Sequence, residues 1–290
     1  MQALSVGLVG AGPWASETHA PMLAAGPETR LAAVWARRPE AARELAREHG
    51  CAVAGSYQEL LDLCDAVAFA VPPAVQCELA ITAARAGKAL LLDKPIAGDL
   101  ESAAALTEAV DAAGVVSQVV LSFRYQQVTR DFLAQAQTFP ALGARSLFVH
   151  GLLRPGQQAA VGWRLVDGVL LDLGPHVFDL LDAALGPIES VTAAGDPHRW
   201  VEVTCRHQSG LVSQASFSGS VGVRGGVTRL ELYGGSGVLT FDAADLDAKD
   251  RWSLLRAEFA QAVRKGTSGP LDVHRGLMLQ RVIEQATRSL

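Results

Sequence analysis

Lysine is scarce in this chain: of 25 basic side chains only Lys88, Lys94, Lys249 and Lys265 are lysines, so a lysine at any one position is an uncommon choice. No apolar run reaches the ~18 to 20 residues that span a bilayer. The nearest, Ala66 to Val75, carries Pro72 and Pro73. Gln2 leads into LSVGLVG without the basic flank or small-residue cleavage site of a signal peptide, which predicts an untargeted, cytoplasmic protein with no membrane partner. The four cysteines, at 51, 64, 77 and 205, have no CxxC spacing and are too sparse for a disulfide scaffold. They read as reduced, mostly buried thiols. Low-complexity tracts and fixed-period repeats are also missing. With 49% apolar and 19% charged residues the chain is globular rather than disordered. A net charge of −5 argues against a nucleic-acid partner.

What is present is a chain of 290 residues, about twice the usual ~150 per domain, which predicts two domains. Up to about residue 122, uncharged apolar runs alternate with helical stretches. The runs are Ala3 to Val9, Leu31 to Trp35, Ala66 to Val71, Ala89 to Leu92 and Val115 to Leu121. Helix punctuation falls between them: Pro39 at a first helical position, Gly50, Gly87 and Gly114 at C-terminal ends, capping-box spacing at Ser56 and Glu59, and Asp99 as a cap. Strict alternation specifies an α/β domain with a doubly wound parallel sheet over residues 1–122. Beyond Phe123 the period changes. One helix around Asp131 to Gln137 is followed by β-rich runs at Arg145 to Leu152, Ser190 to Ala194, Trp200 to His207, Leu211 to Ser218, Val227 to Tyr233 and Val238 to Phe241. A helix at about Pro175 to Leu185 interrupts them, and helices at Ser253 to Arg264 and Val273 to Arg288 close the chain. Residues 123–290 thus read as an α+β domain with a mostly antiparallel open sheet, its last helices able to pack back on the first domain. The charge divides unevenly, with 8 basic and 14 acidic side chains in residues 1–122 against 17 and 16 in residues 123–290.

Gly10-Ala11-Gly12-Pro13-Trp14-Ala15 fits GxGxxA between a strand and a helix, the place where a dinucleotide turn belongs. The first glycine allows the tight turn, the second lets a pyrophosphate approach the backbone, and Ala15 allows close helix packing. At the tip of the second strand an enzyme using NAD usually carries a carboxylate for the ribose 2′-hydroxyl. Here the tip is Ala36-Arg37-Arg38, suited to a 2′-phosphate, so NADP is expected with NAD as second choice. Asp93-Lys94-Pro95 leaves the strand Ala89 to Leu92 at the carboxyl edge, where ligands of such sheets bind. Lys94 there could stabilise an alkoxide or exchange a proton, or could be a turn lysine. Asp172-Leu-Gly-Pro-His176-Val-Phe-Asp179 reads as a helix start, with Gly174 and Pro175 placing His176 in the first turn, where the dipole favours a neutral imidazole that could serve as a base. Asp172 or Asp179 could orient the ring. No ligand spacing supports a metal.

Taken together, GAGPWA, AGKALLLDKP and WR…DGVLLDLGPHVFDLL resemble the signatures of the glucose-fructose oxidoreductase, inositol dehydrogenase and rhizopine-catabolism family (Gfo/Idh/MocA), in the same order and over nearly the whole chain. The resemblance implies a catalytic Lys94, a proton-exchanging His176 and Asp172 as its substrate-side partner. It places Gly10, Gly12, Pro13, Trp14, Ala15, Ala36, Arg37, Arg38, Val71, Pro72, Asp93 and Lys94 around the nucleotide. Arg124, Trp163, Arg164, Asp172 and His176 fall beside a small-molecule substrate. The sequence departs from the family pattern at Asp93, where Glu is usual, at Val71 and Gln76, where many members carry Thr and His, at Ser122, where Asn is common, and at Ala15 in place of the third glycine. The expected activity is NADP-dependent hydride transfer to or from a secondary alcohol or ketone of a sugar, polyol or cyclic diol. Two alternatives use the same scaffold: a nucleotide-sensing regulator without turnover, and a cofactor-assisted glycosidase. The family fold also implies a homodimer or homotetramer through the second domain's sheet.

Overall fold

The uncharged runs of the first half become parallel strands because most are apolar on both faces, which only a sheet covered on both sides accommodates. In the computed structural model, which describes residues 2–157, 162–246 and 250–290, β1 (Leu4–Val9), β2 (Thr29–Trp35), β3 (Ala52–Val53), β4 (Ala66–Phe69), β5 (Ala89–Leu92) and β6 (Ser117–Val119) are ordered β3-β2-β1-β4-β5-β6. Every residue of β1, β4, β5 and β6 is buried. The helices are α1 (Ala20–Ala24), α2 (Pro39–His49), α3 (Tyr57–Asp62), α4 (Pro73–Arg85) and α5 (Leu100–Ala113). Ser56 Oγ accepts from Glu59 N, Asp99 accepts from Ser102 N, and Gly50 and Gly114 close α2 and α5 in the left-handed conformation. The order reverses direction between β1 and β4, so the carboxyl ends of those two strands flank the crevice where open sheets of this kind bind ligands.

After a 3-10 turn at Ser122–Tyr125 come α6 (Gln127–Ala136), β7 (Ala141–Val149), α7 (Trp163–Leu185), β8 (Ile188–Asp196), β9 (Trp200–His207), β10 (Val212–Ser218), β11 (Val227–Gly234) and β12 (Gly237–Asp242). The second sheet runs β12-β11-β7-β10-β9-β8, antiparallel except for the β7–β10 pair. It is one-sided. Along β9, Val201, Val203, Cys205 and His207 point inward and the residues between them outward, the period-2 pattern of a half-buried strand. Phe217 on the inner face meets Phe178 of α7 with ring centroids 5.6 Å apart.

The chain closes with α8 (Asp250–Lys265) and α9 (Val273–Arg288). It divides into two compact units, one of Met1–Leu121 with Lys249–Leu277, the other of Ser122–Ala248 with Met278–Leu290. Within the first unit the late segment completes the sheet edge: Ser117 N donates to Ser268 Oγ, Val119 N to Leu271 O and Val273 N to Ser117 Oγ. Arg256 of α8, 7% exposed, donates to Glu28 Oε2 (2.8 Å) and to Met22 O. No helix among the described residues is long and apolar enough to cross a membrane. Cys64, Cys77 and Cys205 are buried free thiols and Cys51 is half-buried. Burial pushes Cys205 up to about 12 and Cys77 up to about 11, so both stay protonated near neutrality.

Candidate active site

At the carboxyl edge of the first sheet, β1 leads into Gly10 with φ +112°, a conformation open to glycine. A Cβ there would lie 2.4 Å from the Ala70 carbonyl oxygen, so β1 and the segment after β4 touch backbone to backbone. At Gly12 the direction of a Cβ meets nothing within 4 Å, which leaves the open approach a pyrophosphate needs. The turn then enters a π-helical stretch, Ala15–His19, closed by Ala20 N on Ala15 O. Such stretches are rare and recur at functional positions. The pattern of two glycines, one immovable and one open, fits a dinucleotide.

The Asp93-Lys94-Pro95 segment leaves β5 at the same edge and is clamped from two directions. Gln76 of α4, 1% exposed, accepts from Asp93 N (2.8 Å) and donates from Nε2 to the carbonyls of Asp93 (2.8 Å), Pro95 (3.2 Å) and Ile96 (3.2 Å). From the other side Trp14 Nε1 donates to Asp93 Oδ2 at 2.6 Å, and the buried His19 places Nε2 3.5 Å from the same oxygen. Asp93 Oδ1 accepts from Lys94 N at 2.8 Å. Burial pushes the Asp93 carboxyl up, but the His19 ring, the Lys94 charge and the Lys94 N–H outweigh it, so the group sits below its ordinary range and is ionised at neutral pH. Lys94 itself is half-buried. Val71 and Pro72 lie in the turn between β4 and α4. Ala36, Arg37 and Arg38 lie between β2 and α2, with both arginines exposed and no carboxylate at the tip.

In the second unit the helix carrying His176 differs from the sequence expectation. Gly174 and Pro175 do not start it. The break is at Gly168 (φ +74°, ψ −173°), where a Cβ would come within 2.9 Å of the Pro197 carbonyl oxygen and where Val169 N donates to that same oxygen. His176 therefore lies about two turns inside the helix, beyond the first turn over which the helix dipole acts. The mid-helix position brings a different advantage. Asp172, His176 and Asp179 stand at i, i+4 and i+7 on one face, 7%, 8% and 1% exposed. Phe123 packs on the imidazole at 4.7 Å between centroids. Arg164 Nε donates to Asp172 Oδ2 at 3.1 Å while its guanidinium lies 4.5 Å over the Trp163 ring. Arg124 Nη1 contacts both oxygens of Asp179, at 2.9 and 3.0 Å, so its charge is engaged within the protein. Among the described residues no cluster of His, Cys, Asp or Glu is placed to hold a metal ion.

Residues 4–121 match the oxidoreductase family with an NAD-binding Rossmann fold, and residues 141–240 match the GFO/IDH/MocA C-terminal domain. The chain belongs to the GFO/IDH/MocA family. As a member of it, the chain is an NAD(P)-dependent oxidoreductase. Among its relatives, dTDP-3,4-didehydro-2,6-dideoxy-alpha-D-glucose 3-reductase of Streptomyces violaceoruber is 27% identical over 93% of this chain and 88% of its own length. Inositol 2-dehydrogenase of Rhizobium meliloti is 27% identical over 80% of this chain and 74% of its own. A solved levoglucosan dehydrogenase in complex with NADH and L-sorbose shares the fold, with TM-score 0.86 and 20% identity over 100% of this chain and 97% of that one.

The structure thus groups Gly10, Gly12, Pro13, Trp14, Ala15, Val71, Pro72, Asp93 and Lys94 at one sheet edge of the GFO/IDH/MocA protein, and Trp163, Arg164, Asp172 and His176 along α7, the first two before its break at Gly168 and the last two after it. Two residues around Asp93 have no place in the sequence reading as site residues: His19 and Gln76. His19 gave no signal beyond following the glycine turn. Gln76 was visible as a departure from the family pattern, and a polar side chain on the inner face of an otherwise apolar helix turn was the available clue.

Proposed function

We propose that this chain is an NADP-dependent dehydrogenase or reductase acting on a secondary alcohol or its ketone in a sugar, polyol or cyclic diol. The observation that carries the reading is the fixed Asp93-Lys94 segment at the carboxyl edge of the sheet, tied to the nucleotide turn by Trp14. Relatives named as a deoxysugar reductase and an inositol dehydrogenase support the substrate class. When bound, the nicotinamide supplies the hydride acceptor or donor. The chain's own residues do the rest. Gly12 leaves room for the pyrophosphate, and Arg37 and Arg38 offer charge to a 2′-phosphate. Lys94 stabilises the negative charge that develops on the substrate oxygen. His176 exchanges the proton of that hydroxyl, and Asp172, one helical turn away, orients the substrate side of the imidazole. The outward face of the second sheet, where Val212, Tyr233 and Val238 are exposed, is the face we assign to a homodimer or homotetramer.

The test is turnover on a panel of sugars and polyols followed by nicotinamide absorbance. Lys94→Ala and His176→Ala should each lower kcat by on the order of 10² to 10³. Unchanged kcat in either variant removes that residue's role. NADPH should bind more tightly than NADH by fluorescence titration, and Arg37→Ala should narrow the gap; equal affinities in the parent protein refute the arginine argument.

A further inference from the structure

We propose that Trp14 is a positioning residue for Lys94, transmitting the state of the nucleotide turn to the lysine through the carboxylate of Asp93. The inference rests on the role given to Lys94 above. The two oxygens of Asp93 join segments far apart in the chain: Oδ2 takes the Trp14 indole N–H at 2.6 Å, and Oδ1 takes the Lys94 backbone N–H at 2.8 Å. Both are hydrogen bonds to an ionised group, the stronger kind. Gln76 holds the N–H and the carbonyl of Asp93 itself, so the backbone that carries the carboxylate is fixed.

The indole is confined as well. It meets His19 edge-on at 6.1 Å and Trp252 of α8 edge-on at 6.3 Å. Yet Trp14 remains 45% exposed. Here the N–H is directed inward onto a carboxylate while much of the ring faces solvent, two residues past the open approach at Gly12. A dinucleotide settling on that turn changes the surroundings of the ring, and a shift of the ring is a shift of the group that holds the Lys94 backbone. His19, fully buried and 3.5 Å from the same Oδ2, backs the arrangement from the interior.

The experiment uses the full-length protein labelled with ¹⁵N-tryptophan. The chain has 5 tryptophans, so the Trp14 indole resonance can be assigned by its loss in Trp14→Phe. It should move when Asp93 is replaced by Asn, and again on saturation with NADP⁺ or NAD⁺. In kinetics, Trp14→Phe keeps an aromatic ring but removes the donor. It should lower kcat about tenfold, the loss expected for one hydrogen bond to a charged group, while the KM for nucleotide changes less than about threefold. In an Asp93→Ala background the same substitution should add less than about twofold, because the path is already cut. An indole resonance indifferent to both Asp93→Asn and nucleotide overturns the proposal, and so does an undiminished kcat effect in the Asp93→Ala background. If Lys94→Ala keeps full turnover, the role of Lys94 fails whatever Trp14 does; if Lys94→Ala is inactive and Trp14→Phe is not impaired, the positioning role alone fails.

Discussion

Replacing Gln76 by leucine removes four hydrogen bonds at once without a large change in side-chain size. Three backbone carbonyls, of Asp93, Pro95 and Ile96, surround one NH₂ group, and the Asp93 N–H faces the amide oxygen, so only one orientation of the amide satisfies the site. A net hydrogen bond contributes about 1 kcal/mol, and a buried polar group left unmet costs about 1–3 kcal/mol. Asp93 and Lys94 are half-buried, so water can reach part of the segment and recover some of that loss. The total should be about 2–4 kcal/mol, which for a protein of this size corresponds to a fall in Tm of roughly 3–7 °C. Gln76→Glu sharpens the test. A carboxylate facing three carbonyls would have its folded pKa raised, so its destabilisation should be smallest below the unfolded value of about 4.3 and grow as pH rises through the folded value. Urea denaturation at pH 5 and pH 8 measures this. A Gln76→Leu midpoint equal to the parent's, or a Gln76→Glu variant whose deficit relative to the parent does not grow with pH, refutes the clamp.

Gly10→Ala should cost more than about 2 kcal/mol and abolish measurable nucleotide binding, because it combines a positive φ with a Cβ 2.4 Å from a backbone oxygen; chemical denaturation and fluorescence titration check both. Arg256→Ala should destabilise by about 1–2 kcal/mol, because it removes two hydrogen bonds while Glu28, 28% exposed, recovers hydration. The pH dependence follows from the same pair and from Asp93. The hydrogen bond from Arg256 draws the Glu28 carboxyl below its ordinary range, and Asp93 is also lowered. Both therefore add stability that is fully present above their unfolded values of about 4 and is lost as pH falls through the folded ones. Urea midpoints should drop below about pH 4, and the drop should be shallower in Arg256→Ala.

The parallel sheet was legible because its strands are uncharged apart from Arg30 at the start of β2 and its helix ends carry Ser56, Asp99, Gly50 and Gly114, local chemistry that acts the same in any tertiary setting. The nucleotide turn was legible for the same reason. The start of α7 was not. Pro175 carries a strong local preference for a first turn, yet the break at Gly168 is set by the close approach of Pro197, a contact between residues distant in sequence. Nor could sequence show that Arg124 is engaged by Asp179, or that Gln76 and His19 converge on Asp93, since pairs so separated leave no periodicity. The short strand β3 was missed because its two residues, Ala52 and Val53, are both exposed.

The contribution of residues 249–277 to the first unit bears on how the chain is made. The edge strand β6 has Ser117 N and Val119 N waiting for Ser268 and Leu271, whose synthesis follows that of the entire second sheet. A ribosome releases N-terminal segments first, so the nucleotide-binding unit spends most of translation with an open flank. Its last cooperative step requires closing a loop of well over a hundred residues, a slow, high-contact-order event. Excising residues 1–121 as a free domain would freeze the protein in that incomplete state, with an unpaired sheet edge inviting self-association.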